Sequence, residues 1–225
     1  MHADYLNVTM PDGDAPDVES ELLKIVAAVG GTSITDGLYK LTSGGTFRSE
    51  AKRNFHYFGV SGDFLATLRE HALYDAYLGA VAYAPHKVTR LDIAHDVYDS
   101  DSPAVLARLV RATRSEKGVR LSRKKLNPQT QVRTMFSMSD DGRDTGLVYL
   151  GGRTAEVKAK VYDKRLERKQ VANVDFPACT RFELTVTDKV GVSLRDAQSP
   201  EAIFWNFMSE VLPAPPDASE WVKGG

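Results

Sequence analysis

The 225-residue chain has a single cysteine, Cys179. That excludes an internal disulfide and any metal site built from cysteines, and its place in a Pro-Ala-Cys-Thr lead-in to a strand predicts a buried structural thiol. No apolar run approaches the roughly 18 residues of a membrane-spanning helix. The N-terminus has no Lys or Arg before Lys24 and carries Asp4, Asp12, Asp14, Asp17, Glu19 and Glu21, which is unlike a signal or transit peptide. These absences predict a soluble, cytoplasmic chain with no membrane partner. The chain also lacks net charge, at −1, which argues against coating nucleic acid by bulk electrostatics.

Charge is unevenly placed, however. Between Arg108 and Arg133 stand Arg111, Arg114, Lys117, Arg120, Arg123, Lys124 and Lys125, opposed by Glu116 alone. Such a segment is a candidate for holding phosphates. The plain alternative is a solvated helix face running into a loop.

Alternation and helical spacing predict an α+β fold, a mainly antiparallel sheet with helices on one face. Strands are expected at 5–10, 38–41, 55–60, 89–99, 134–138, 146–152, 154–164 and 180–186. Helices are expected from an Asp17 cap to Gly30-Gly31, from Ser61-Gly62 through Ala80, from a Ser102 cap before Pro103, over 166–171, and from Ser199-Pro200 to Pro213. The strands at 146–152 and 154–164 meet at a glycine turn as a hairpin. One domain over 1–212 accounts for this pattern, also divisible into α/β halves near 1–100 and 101–212, with 213–225 as a linker or tail.

Three strands carry the chemistry. In 158–164, alternation puts Lys158, Lys160, Tyr162 and Lys164 on one face and Ala159 and Val161 on the other. Neighbouring positive charge, or a metal, is one way to help a phenol with an ordinary pKa near ~10 act as a nucleophile. A solvated basic face is the alternative. In 90–98, Arg90, Asp92, Ala94 and Asp96 share a face, and two carboxylates on one strand face call for positive charge between them. His95 falls on the opposite side as a core histidine. In 180–186, Arg181, Glu183 and Thr185 share a face. On one sheet, Asp92, Asp96 and Glu183 would make an oxygen-donor site suited to Mg²⁺ or Mn²⁺. A structural ion-pair network of the same carboxylates with Arg90 and Arg181 is the alternative.

Asp4-Tyr5-Leu6-Asn7-Val8-Thr9, Tyr57-Phe58-Gly59-Val60-Ser61-Gly62, Thr89 to Asp96, Tyr149-Leu150-Gly151-Gly152-Arg153, Val161-Tyr162-Asp163-Lys164 and Arg181-Phe182-Glu183-Leu184 occur in this order. In that set the chain resembles replication initiators of the Rep_trans type, which serve rolling-circle replication of filamentous phages and small plasmids. The likeness spans most of residues 4 to 190. It implies the fold of the rolling-circle initiator nuclease core and a metal-dependent nickase and strand transferase that joins itself to the 5′ end of cut DNA. Carried onto this sequence, it implies Asp92, Asp96 and Glu183 as metal ligands, Tyr162 as nucleophile with Tyr149 as the substitute, and Arg181 or Lys160 at the scissile phosphate. Arg108, Arg111, Arg114, Arg120, Arg123, Lys124, Lys125, Arg153 and Lys164 would contact single-stranded or origin hairpin DNA, with a host helicase as a further partner. Two alternatives are a non-catalytic DNA-binding regulator of the same fold and a metal-dependent nuclease that uses water. Gly151-Gly152-Arg153-Thr154 departs from the Gly-Ser-Arg-Ser usual in these proteins, which weakens any hydroxyl contact to phosphate there. The His-hydrophobe-His metal signature of other rolling-circle nucleases is absent.

Overall fold

The computed structural model describes residues 1–121, 124–138 and 144–212. Asp140-Asp141-Gly142, which reads as a turn after the strand expected at 134–138, and the tail from 213 lie outside the described residues. The chain forms two compact units. One comprises His2–Ile93 and Val186–Pro200, the other Ala94–Thr185 and the chain from Glu201. The chain passes from the first to the second in the middle of a strand.

The first unit holds β1 (His2–Met10), α1 (Ala15–Ala28), β2 (Thr32–Thr35), β3 (Leu38–Lys40), β4 (Thr46–Ala51), β5 (His56–Ser61), α2 (Gly62–Glu70), α3 (Tyr74–Ala82), the first half of β6 (Lys87–Tyr98), and α6 (Leu194–Gln198). β5 pairs antiparallel with β1 and β4, and β3 links β4 to β2. Alternation in β1 buries Leu6, Val8 and Met10 and leaves Tyr5, Asn7 and Thr9 partly open. The buried side chains meet Phe47, Phe58 and Phe64, whose ring centroids lie 6.0–6.3 Å apart around Phe47. Each such side chain removed from water contributes roughly 1.5–3 kcal/mol.

Where the pattern predicts one helix from Ser61 through Ala80, the structure has two. Ala72 adopts a left-handed conformation at φ 55°. Leu73 N donates to Leu68 O at 2.7 Å and Ala72 N to Arg69 O at 3.0 Å, which is the Schellman close of a helix. Glycine normally marks that position, and alanine gives no such signal. The α1 cap also moves, to Asp14 with a proline following, because Pro16 suits the first helical turn.

In α3, Tyr77 is fully buried and its hydroxyl has no hydrogen-bond partner among the described residues. An unpaired buried hydroxyl costs about 1–3 kcal/mol. Tyr77→Phe is therefore expected to leave the fold intact and raise its stability by about 1 kcal/mol, read as a shift in the denaturant midpoint at constant slope. A loss of stability would mean that the hydroxyl has a partner.

The second unit holds the rest of β6, α4 (Ser102–Arg114), β7 (Arg120–Leu121), β8 (Lys124–Lys125), β9 (Val132–Met138), β10 (Asp144–Leu150), β11 (Val157–Asp163), α5 (Lys164–Ala172), most of β12 (Cys179–Thr187) and α7 (Glu201–Met208). Its strand order is β6-β12-β11-β10-β9, with β10 antiparallel to both β9 and β11. α4 packs on β10 and β11. The N-cap of α4 is Asp101, whose carboxylate accepts from Ala104 N at 3.3 Å. Ser102, the expected cap, is buried with its hydroxyl 2.8 Å from Thr180 Oγ1. His95 is half-buried and lies edge-on to Phe204 and Trp205, with centroids 5.7 Å away in both cases, beside the core aromatics and not enclosed among them. Cys179 is buried and free, and burial pushes its thiol up to about 11. No helix among the described residues is long and apolar enough to cross a membrane.

Candidate functional site

Val157, Ala159 and Val161 are buried and Lys158 and Lys160 half-buried, so β11 keeps the predicted alternation. Tyr162 is the penultimate residue of that strand, with only Asp163 between it and α5. Asp163 caps α5, its carboxylate accepting from Leu166 N at 3.0 Å. The ladder on one side and the cap on the other hold the backbone of Tyr162.

Glu183 arrives from β12 and is buried. The Tyr162 hydroxyl donates to Glu183 Oε1, and Lys160 Nζ pairs with Glu183 Oε2. The Lys160 and Lys164 ammonium groups lie 5.3 and 5.7 Å from the Tyr162 ring centroid. Two of the three lysines expected on this face are thus at the ring, while Lys158 donates to Arg153 O at 3.2 Å, and a carboxylate sits on the phenol oxygen. Burial first, then the charge and hydrogen bond of Glu183, raise the Tyr162 pKa well above its ordinary value, against a smaller opposing effect of Arg181. This corrects the expectation of a phenol whose ionisation is eased by neighbouring cations.

Arg181 is buried and grips Asp96 with both ends of its fork, Nε to Oδ1 and Nη2 to Oδ2 at 2.6 Å each. Arg90 grips Asp92 in the same way within the first unit, at 2.9 and 2.6 Å, and its guanidinium lies 4.7 Å from the Tyr5 ring centroid. Asp92 and Asp96 are therefore held in the ion pairs given as the alternative, whereas Glu183 pairs with Lys160. Among the described residues no three His, Cys, Asp or Glu side chains gather closely enough to hold a metal ion. Asp92, Asp96 and Glu183 are hard oxygen donors, yet each already has a basic partner. As placed they do not fit a divalent ion.

Arg108, Arg111, Arg114, Arg120 and Arg153 are exposed, as a phosphate-contacting role requires. Arg120 also reaches Glu210, 3.7 Å away. The expected loop after α4 instead contains the β7–β8 hairpin, and Lys125 donates to Glu116 O there. Arg123 and the side chain of Lys124 lie outside the described residues. Lys164 departs from its expected DNA-binding role, because it is buried and paired with Glu167 at 2.7 Å.

A cavity of about 440 Å³ opens beside the phenol. Met135, Leu147, Tyr149, Leu166 and Gln170 line it with Tyr162. Sequence reasoning did not find Leu166, Gln170 or the cavity. The signal lay in the hairpin register, which sets Leu147 opposite Tyr162 and Tyr149 opposite Lys160, so that all four share a face.

Burial also raises the pKa of Tyr77 and Tyr57. A folded pKa above the unfolded value, ~10 for tyrosine, gives stability that is fully present below that pH and is lost as pH rises beyond it. Absorbance titration is expected to show these three phenols ionising only together with alkaline unfolding. Three phenols that titrate near their ordinary value in the folded protein would contradict this.

Residues 86–196 match the family model described as replication initiation factor, Rep_trans. This stretch, just under half the chain, includes Asp92, Asp96, Tyr162, Arg181 and Glu183. The fold is similar to that of the rolling circle replication initiator protein from Geobacillus stearothermophilus, with a TM-score of 0.52 and 16% identity, covering 82% of this chain and 73% of that one. No curated protein matches the sequence.

Proposed function

We propose that the chain initiates rolling-circle DNA replication by cutting and rejoining one strand of origin DNA, with Tyr162 as the nucleophile. The observation that carries this reading is the hydrogen bond from the Tyr162 hydroxyl to the buried Glu183 carboxylate. A phenol with a raised pKa is a poor nucleophile unless a base takes its proton during attack. Glu183 Oε1 is already at that proton. In the proposed reaction Tyr162 Oη bonds to the phosphorus, its proton passes to Glu183, and the bond from phosphorus to the 3′-oxygen breaks. The 5′ end is left as a phosphotyrosine ester and the other end as a 3′-OH once that oxygen takes a proton. Lys160 stands beside Glu183, where its charge opposes the negative charge gathering on the phosphoryl oxygens. Rejoining runs the same steps backwards.

Arg181 at the scissile phosphate and Mg²⁺ or Mn²⁺ as the activating ion belong to the same proposal on the family likeness alone. So do origin hairpin DNA and a host helicase as partners. Asp92, Asp96 and Glu183 would hold such an ion only on giving up Arg90, Arg181 and Lys160. The exposed arginines of α4, with Arg153, supply cations for the DNA backbone.

The test is incubation with single-stranded origin DNA and Mn²⁺ or Mg²⁺, with a chelator as control. A denaturing gel and peptide mapping follow. The expected product is a covalent adduct at residue 162 that forms only with the metal. An adduct at Tyr149 overturns the nucleophile. Cleavage without any adduct points to a water-using nuclease. Binding without cleavage points to a regulator, a second reading favoured by the pairing of every candidate ligand with a cation.

A further inference from the structure

The register of β9, β10 and β11 places two rows of side chains on one face. Arg133, Tyr149 and Lys160 form one row, and Met135, Leu147 and Tyr162 form the other. The first row is cation, aromatic, cation, with the Arg133 guanidinium 4.9 Å from the Tyr149 ring centroid. The second carries Met135, 61% exposed though large and apolar. The cavity beside Tyr162 opens onto both rows, and Leu166 and Gln170 of α5 form part of its wall. Its volume, about 440 Å³, lies in the range of small-ligand pockets.

Resting on the proposed function, we propose that this cavity is a subsite for one unstacked nucleobase of the single strand being cut, with Tyr149 as its stacking platform. The walls disfavour a bare phosphate as occupant, since Met135, Leu147 and Leu166 are apolar and Lys160 is outnumbered by Asp163 and Glu167. A base presents a flat apolar face and a polar edge. Tyr149 and Met135 suit the face, and the Gln170 amide offers both a donor and an acceptor to the edge. Arg133 and Lys160 stand on the strands either side of Tyr149, about 10 Å apart at the backbone by strand spacing. They flank a seated base on the sides where its own phosphates leave. The phenol of Tyr162 shares the cavity wall, so a base held there brings its neighbouring phosphodiester to the nucleophile. Tyr149, the substitute nucleophile on sequence grounds, is thereby a positioning residue.

The experiment measures binding and not cleavage. Fluorescence polarisation of a labelled single-stranded oligo-dT is followed against a salt series for the native chain, Tyr149→Ala, Tyr149→Phe and Arg133→Ala, alongside an abasic oligonucleotide of equal length. Tyr149→Ala is expected to weaken oligo-dT binding about 5- to 150-fold, the range supplied by base–aromatic stacking, with an unchanged salt slope. Tyr149→Phe should bind as the native chain does. Arg133→Ala should flatten the salt slope by about one contact. The native chain should prefer oligo-dT to the abasic strand, and Tyr149→Ala should lose that preference. Matching melting temperatures exclude misfolding as the cause. Tyr149→Ala that binds within about two-fold of native, or keeps its preference over the abasic strand, overturns the subsite. A chain that passes these tests yet forms no covalent adduct refutes the nicking reading and leaves the base subsite standing.

Discussion

Tyr162→Phe is expected to form no denaturant-resistant adduct with origin DNA while still binding it. The substitution removes one oxygen and keeps the ring, with Lys160 and Lys164 ranged over it. Glu183 keeps Lys160 as a partner, so the loss falls on the chemistry more than on the fold. Glu183→Gln gives the complementary result. The amide preserves shape but cannot take the phenol proton, and the rate of adduct formation should fall by about 10²- to 10⁴-fold, the range of general base catalysis. The residual rate of the Gln variant should rise with pH, as hydroxide replaces the missing base. An adduct that survives in Tyr162→Phe, or a Gln variant within a few-fold of native, would remove this pair from the mechanism.

The second large effect concerns stability. The side chains of Arg181 and Asp96 are only 10% and 11% exposed. Removing one member of such a pair strands an uncompensated charge, at a cost of about 3–5 kcal/mol. Arg181→Met is expected to lower unfolding stability by that amount. Arg181→Met combined with Asp96→Leu should recover most of it, since apolar residues can replace a buried ion pair at little net cost. The two equilibrium denaturation curves decide the matter. A single-variant loss below about 1 kcal/mol would mark the pair as no stronger than a surface contact.

Much of this site is legible along single strands. Alternation gives the face of Lys160 and Tyr162, and two carboxylates on one strand signal the arginines that bind them. Arg90 reaches Asp92 two residues away, a pairing local enough to read. What a strand pattern cannot give is the neighbour across the sheet. Tyr162 reads as a phenol among lysines because the lysines are adjacent in sequence, whereas Glu183 lies 21 residues away. The sign of the phenol's pKa shift therefore reverses once the sheet forms. Lys164 reads as a strand residue with a solvated ammonium, but the Asp163 cap turns the chain into a helix there and buries it. The same limitation hides the split of α2 from α3, where Ala72 occupies a conformation that sequence patterns assign to glycine. β2 escapes notice because all four of its residues are exposed, so burial never imposed an alternation on them.

The junction of β11 and α5 bears on the return half of the proposed reaction. A covalent link to DNA that must later be undone requires its oxygen to wait in one place while a free 3′-OH comes back to it. A residue on a swinging loop would carry the strand end away. Tyr162 instead sits between a paired strand and a capped helix, a mooring that favours resealing over release.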